Sequence, residues 1–248
     1  MNYIFTYEDA VRYNQWHHDA QNRMIIQHEN ELIMSMIEPV RGESLLGIGC
    51  GTGMRLFPFL EKGLQVTGLD PSHHMINLAK KNVGNRVDFY NAFGEDLPFD
   101  DNAFNIAVLI NTLEFVDDPF QTLVEACRVA KDRLFIGIWN KYALKNIHHQ
   151  LSKMLTPEAY DQLHFMNIIE IKKMVKTIMG KVPIQWLTAG QFGGDLGWFG
   201  QKIEQSQFMQ NIPLGVFIGI VIILNPTFRM RPLELKTTKT KEAFAGAV

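Results

Sequence analysis

Hydrophobic residues along this chain gather in short runs of strand length, set apart by polar stretches long enough to form helices. The clearest runs are Ser44–Ile48, Gln65–Leu69, Val87–Tyr90, Phe104–Ile110 and residues 134–139, and the fourth is nearly continuous in apolar side chains, as a parallel strand covered on both faces should be. The punctuation between them is that of helices. Residues 54–62 end at Gly63, a plausible helix stop; Ser72 is a natural N-cap for a helix through residue 81; Asp118 or Pro119 opens another that leads to Arg128. Strands alternating with helices predict a parallel sheet with right-handed crossovers, whose ligand lies beyond the carboxyl ends of the strands.

The flanks carry weaker patterns. Residues 1–43 contain Tyr3, Phe5, Tyr7, Tyr13 and Trp16, then a helical stretch in which Leu32, Ile33, Met36 and Ile37 recur at about i, i+3, i+4 spacing. Residues 140–180 read as helical, 182–188 and 216–224 as two further strands, and the stretch between those as loop with room for a short helix. The longest apolar run, 214–224, has 11 residues, too short for the roughly 20 that a membrane-spanning helix needs, so a buried strand is expected. Residues 236–248 lack periodicity and are expected to fray.

Candidate chemistry begins where the first run passes into glycines at alternate positions, Gly47, Gly49, Gly51 and Gly53. A turn that brings bare backbone close to a ligand takes up φ/ψ values that a Cβ forbids, and side chains would block the approach. Asp70 ends the second run, seventeen residues past Gly53. A carboxylate at that strand tip can accept hydrogen bonds from two ribose hydroxyls, so loop and acid together suggest an adenosine-containing cofactor. The dinucleotide spacing G-x-G-x-x-G fits neither register: from Gly49 it needs glycine at Met54, and from Gly47 at Thr52. A nicotinamide-dependent dehydrogenase is disfavoured on that ground.

The run S-L-L-G-I-G-C-G-T-G at 44–53, V-T-G-L-D-P-S at 66–72, G-E-D-L-P-F from Gly94 and E-A-C-R-V at 125–129 follow one another in an order that resembles the class I S-adenosylmethionine (SAM)-dependent methyltransferases. Within that class the likeness is to the type 11 subgroup typified by quinone-biosynthesis C-methyltransferases, and it covers about residues 45–140. The resemblance implies an α/β, Rossmann-like fold: a mostly parallel seven-stranded sheet with helices on both faces and an antiparallel closing strand, the last pair being 182–188 and 216–224. It implies one methyltransferase domain over 1–248, with a helical cover at 1–43, a cofactor-binding core at 44–140, a helical insert and closing strands at 141–235, and a tail at 236–248.

Carried over residue by residue, the resemblance implies that the backbones of Gly49, Cys50, Gly51 and Gly53 contact the methionine and ribose of SAM and that Asp70 takes the ribose hydroxyls. It implies that Phe93, Gly94, Glu95 and Met75 surround the adenine, and that Asn111 lies near the sulfonium. Tyr13 and Trp16, in the cover, are candidates to line the site, or else ordinary aromatics packed on the sheet edge. Two positions depart from the pattern: many relatives carry an acid where Gly47 stands and an aspartate where Phe93 stands. The implied function is methyl transfer from SAM to a small-molecule acceptor. The alternative, resting on the two departures, is a noncatalytic SAM-fold protein acting as an interaction or regulatory module.

A sulfonium already activates its methyl group, so such a protein has chiefly to hold a nucleophile in line and exclude water. Candidate general bases near the strand ends are Glu114, His148 and His149, with Tyr142 as a hydrogen-bonding group; each also reads as an incidental core or surface residue. The doublets His17-His18, His73-His74 and His148-His149 are poor chelators, because neighbours on a helix diverge by about 100°, and no metal is expected. With 248 residues and 46% hydrophobic content, the chain can fill one large α/β core. A net charge of −2 gives no basic footprint, so no nucleic-acid partner is expected. Two cysteines, Cys50 and Cys127, and an N-terminus without basic and apolar signal regions lead to the expectation of a cytoplasmic protein with reduced thiols.

Overall fold

The computed structural model describes residues 3–143, 148, 151–190 and 215–224. At its centre lie strands β1 (Ser44–Ile48), β2 (Gln65–Leu69), β3 (Val87–Tyr90), β4 (Phe104–Ile110), β5 (Ala130–Trp139), β6 (Ile184–Ala189) and β7 (Phe217–Ile223), in the order β3-β2-β1-β4-β5-β7-β6. The neighbours from β3 through to β5 pair in parallel, and β7 runs antiparallel to both β5 and β6. The expected sheet and its closing pair are therefore present.

Side-chain alternation along the strands divides the core in two. On β4, Ala107 and Leu109 join one buried cluster while Ile106, Val108 and Ile110 join the other; on β1, Leu46 and Ile48 face opposite to Leu45. This is the period of two expected of a pleated strand, here apolar on both sides because helices cover both faces. The helices are α1 (Tyr7–His18), α2 (Arg23–Ile37), α3 (Phe57–Glu61), α4 (His73–Val83), α5 (Pro119–Val129), α6 (Pro157–Asp161) and α7 (Ile168–Met179). Leu123 and Ala126 of α5 pack with Ile171 and Val175 of α7 on one face, and Leu32, Ile33 and Ile37 of α2 pack with Phe59 of α3 on the other.

Gly219 on β7 lets α2 lie close, since a Cβ there would stand 2.5 Å from Leu32 Cδ2 and 2.9 Å from Met36 Sδ. Only part of the expected N-terminal cover therefore faces the strand ends: α1 lies there, and α2 covers the sheet. A third apolar cluster, with Trp16, Trp139, Leu151, Met154 and Leu155 at its centre, joins α1 to the segment after β5.

Two expected helices differ in detail. Residues 54–62 form a 3₁₀ turn, Met54–Leu56, followed by α3, because Pro58 has no N–H with which to tie α3 back to the preceding turn. The described part of the helical region 140–180 is broken into the 3₁₀ turn Lys141–Ala143, a helical turn at 151–154, α6 and α7. Asn167 starts α7 through a capping box: its side chain accepts from the N–H of Ile169 and Glu170, and Glu170 accepts from the N–H of Asn167. The expected loop at 191–214, the tail at 236–248 and His149 lie outside the described residues. Among the described residues no helix is long and apolar enough to cross a membrane.

Candidate cofactor site

β1 ends in a turn whose glycines carry positive φ: Gly49 at 64°, Gly51 at 54° and Gly53 at 76°. At Gly49 the requirement is also steric, because a Cβ would lie 2.4 Å from Thr112 Cγ2. The Thr112 hydroxyl donates to the Ile48 carbonyl at 2.9 Å and so clamps the tip of β4 to that of β1. The Cys50 N–H donates to the Leu69 carbonyl at 2.9 Å, which ties the loop to β2.

Asp70 completes this frame. Its Oδ2 accepts from the Gly51 N–H and its Oδ1 from the Ser72 N–H, each at 2.9 Å. Burial pushes the carboxyl up to about 6, against the pull of the Ser72 and Gly51 donors. Each oxygen keeps further lone-pair capacity after one donor. The Cys50 thiol is pushed up as well, by burial first and by the Asp70 charge second.

Beyond the loop is an open cleft of about 310 Å³, adjoining solvent included, between the ends of β1 and β4 and the segment after β3. Ile48, Gly49, Pro71, Phe93, Gly94 and Glu95 line it, with Thr112 and Phe115 from the turn after β4 and Tyr3 from the cover. Glu95 is also engaged at the start of α5, where its Oε1 accepts from the Asp117 N–H at 3.2 Å. Gly51, Gly53 and Asp70 sit deeper, under α1: a Cβ at Gly51 would stand 3.6 Å from Tyr13 Cε1. Burial raises the Tyr13 phenol to about 12; the Arg55 guanidinium acts the other way, and Glu29, Asp70 and Glu114 add to the rise.

The cover is pinned at several points. The Ser72 hydroxyl donates to the Phe5 carbonyl at 2.6 Å, and the Phe5 ring meets Phe115 edge-on at 4.9 Å. Asp9 accepts from the Thr6 N–H at 2.7 Å, from the Tyr3 hydroxyl at 2.8 Å and from the Thr156 hydroxyl. Trp16 is buried beside Trp139 in the third cluster.

Polar atoms left over inside this region are informative, because buried polar groups normally have partners. Glu114 is 0% exposed; its Oε1 accepts from the Trp139 N–H at 2.7 Å, and its Oε2 has no partner. Burial pushes its carboxyl up to about 7, held down by the backbone N–H groups of Trp139 and Glu114 and by the nearby Asn111 amide. Asn111 holds φ at 52° at the end of β4, donates its N–H to the Gly137 carbonyl at 2.8 Å, and has an unpartnered Nδ2. His17 Nε2, Trp16 Nε1 and Arg55 Nε are likewise without partners. Burial, then the Arg55 charge, lowers His17 to about 3, so its ring is neutral.

Tyr142, His148, Met75, Trp16, Asn111 and Glu114 are not among the residues that line the cleft. Tyr142 is 63% exposed on the turn after β5. His148 is exposed, with Nδ1 2.7 Å from the Tyr160 hydroxyl. Met75 is buried in the first turn of α4, where its N–H donates to the Ser72 hydroxyl at 3.3 Å. Conversely, Ile48, Pro71 and Thr112 line the cleft without having been singled out; their adjacency to Gly49, Asp70 and Asn111 was the available signal.

Residues 46–135 match the methyltransferase domain family. An uncharacterized protein of Methanocaldococcus jannaschii is 32% identical over 171 residues, 68% of this chain and 77% of that protein. A demethylmenaquinone methyltransferase of Renibacterium salmoninarum is 32% identical over 100 residues, 40% of this chain and 42% of that protein. The match spans 40–63% of the length of the demethylmenaquinone enzymes. The fold is similar to the solved structure of a SAM-dependent methyltransferase, possible histamine N-methyltransferase, from Thermotoga maritima, with a TM-score of 0.65 at 21% identity, covering 85% of this chain and 93% of that one.

Proposed function

We propose, from the premise that this chain belongs to the SAM-dependent methyltransferases, that it transfers the methyl group of SAM to a small-molecule acceptor. One arrangement carries the reading: Asp70 at the tip of β2, held by the N–H groups of Gly51 and Ser72 beside a turn whose glycines leave no room for side chains. The residues present fit an adenosyl ligand. Asp70 has lone pairs left for ribose hydroxyls, and the glycine backbones accept a close approach. Ile48, Pro71 and Phe93 offer apolar walls to a flat base, with Phe93 giving packing where many relatives have a polar contact. The unpartnered atoms of Asn111 and Glu114 suit a polar end.

Bound SAM supplies a methyl group activated by its sulfonium. The rest falls to positioning by the protein. Tyr13 and Trp16 from α1, with Phe5, Phe115 and Trp139, form an aromatic lid over the strand ends that excludes water and favours an acceptor with an apolar body. Cys50 and Cys127 are both free and buried, which suits a reducing cytoplasmic compartment.

The test is calorimetric titration with SAM, S-adenosylhomocysteine and NAD. The two adenosyl ligands are expected to bind, with affinity at least about tenfold lower in Asp70→Ala, and NAD is expected not to bind. Failure of both adenosyl ligands to bind the native protein would overturn the proposal in favour of a noncatalytic module.

A further inference from the structure

Three carboxylates, those of Glu29, Asp70 and Glu114, are buried and close enough to the Tyr13 phenol to act on it. They are not equivalent. Glu29 is paired with the Arg55 guanidinium, and Asp70 takes the N–H groups of Gly51 and Ser72. Glu114 keeps a buried oxygen with no partner. Leaving such a group unpaired is costly in apolar surroundings, and its natural complement is a cationic donor.

Asn111 lies three residues earlier, at the tip of β4, and its buried Nδ2 faces the Glu114 carboxylate closely enough to help hold its charge, yet falls short of a full hydrogen bond to any partner. A free acceptor and a free donor side by side fit an α-amino-acid head, with its ammonium and carboxylate on adjoining atoms. The segment after β4 that carries both residues touches the glycine turn through Thr112. Thr112, which follows Asn111, packs on Gly49, and Tyr13 packs over Gly51.

Gly47 shows why the charge would come from the turn after β4 and not from β1. At that position on β1 a Cβ would lie 2.7 Å from Leu56 Cδ2. Leu56 is itself 1% exposed and fixed in the core cluster with Phe59 and Leu45. A side chain at residue 47 would have to displace it.

We infer that Glu114 pairs with the α-ammonium of the methionine end of SAM, with the Asn111 amide on the adjoining carboxylate. This rests on the methyltransferase reading and assigns this chain its own amino-acid clamp.

The experiment compares binding of S-adenosylhomocysteine and of 5′-methylthioadenosine, which shares the adenosyl thioether and lacks the amino-acid head. Both are titrated into the full-length protein and into Glu114→Gln. The substitution keeps an oxygen for the Trp139 N–H and removes the charge. The expected result is S-adenosylhomocysteine binding at least about tenfold weaker in the variant, with methylthioadenosine affinity changed by less than about twofold. Unchanged S-adenosylhomocysteine affinity would overturn the inference, and a lowered kcat in that case would assign Glu114 to the methyl acceptor. Equal weakening of both ligands would also overturn it, in favour of a purely structural carboxylate. If neither ligand bound the native protein, the methyltransferase reading would fall and the clamp with it, whereas native binding with an unchanged variant sinks the clamp alone.

Discussion

Gly47 and Leu56 show how one absent side chain organises its neighbours. The space beyond Gly47 is held by Leu56 Cδ2, so Gly47→Ala overpacks the junction of β1 with the turn before α3. Such overpacking costs about 1–3 kcal/mol, and Leu56→Ala alone costs about 2–5 kcal/mol through the cavity it leaves. The double variant is expected to be more stable than the sum of the two single losses by about 0.5 kcal/mol or more, because each change relieves the other. Denaturant unfolding of all three proteins measures this, and strict additivity would show that Leu56 does not fill the vacated space. The glycine itself was legible as a departure from the motif pattern. Its consequence was not, since nothing in residues 44–56 says which way the Leu56 side chain turns.

The helix α1 is an element held from outside itself. Its own start is secured by the capping box of Thr6 and Asp9, while Asp9 also accepts from Tyr3 and from Thr156, at the start of α6. Burial works against the Asp9 charge, yet the donors from Thr156, Thr6 and Tyr3 hold its carboxyl below the ordinary 3.8. Asp9→Ala is therefore expected to cost about 1–3 kcal/mol through the lost cap and unpaired donors. Residues 3–18 should be cleaved faster in limited proteolysis while the sheet stays resistant; unchanged cleavage would show that aromatic packing alone keeps α1 in place. The existence of α1 and α2 followed from spacing. Their different duties, α1 over the strand ends and α2 on β7, followed from packing, with Gly219 as the contact that admits α2.

Over the whole molecule, Asp70 and Glu114 make the free protein's stability depend on pH. Their carboxyls rise from 3.8 to about 6 and from 4.5 to about 7 on folding, so the folded chain binds protons more tightly than the unfolded one. Stability from this source is fully present below the unfolded values and falls as pH rises, through about 4–6 for Asp70 and about 4.5–7 for Glu114. Asp9 and Glu125, both lowered on folding, act in the opposite sense below those windows, and His17, lowered from 6.5 to about 3, opposes the two carboxyls up to about pH 6.5 and makes the net decline shallower. The melting temperature is expected to decline from about pH 5 to about pH 7.5, and Glu114→Gln should flatten the upper part of that decline. A flat profile in the native protein would show that these carboxylates are hydrated in solution.

The sequence by itself determined what depends on neighbours along the chain. Strands β1 to β4 were legible from period-two and continuous apolar runs, and the glycine turn and Asp70 from their spacing, because pleat, turn and strand tip are properties of a few consecutive residues. Tertiary structure decided what depends on meetings across the chain. β7 inserted between β5 and β6, Thr156 met Asp9 across 147 residues, and Glu114 came to be buried against the end of β5 with one oxygen left over beside the Asn111 amide. Burial and unmet hydrogen bonds arise when distant segments pack and shut out water, so no local pattern carries them.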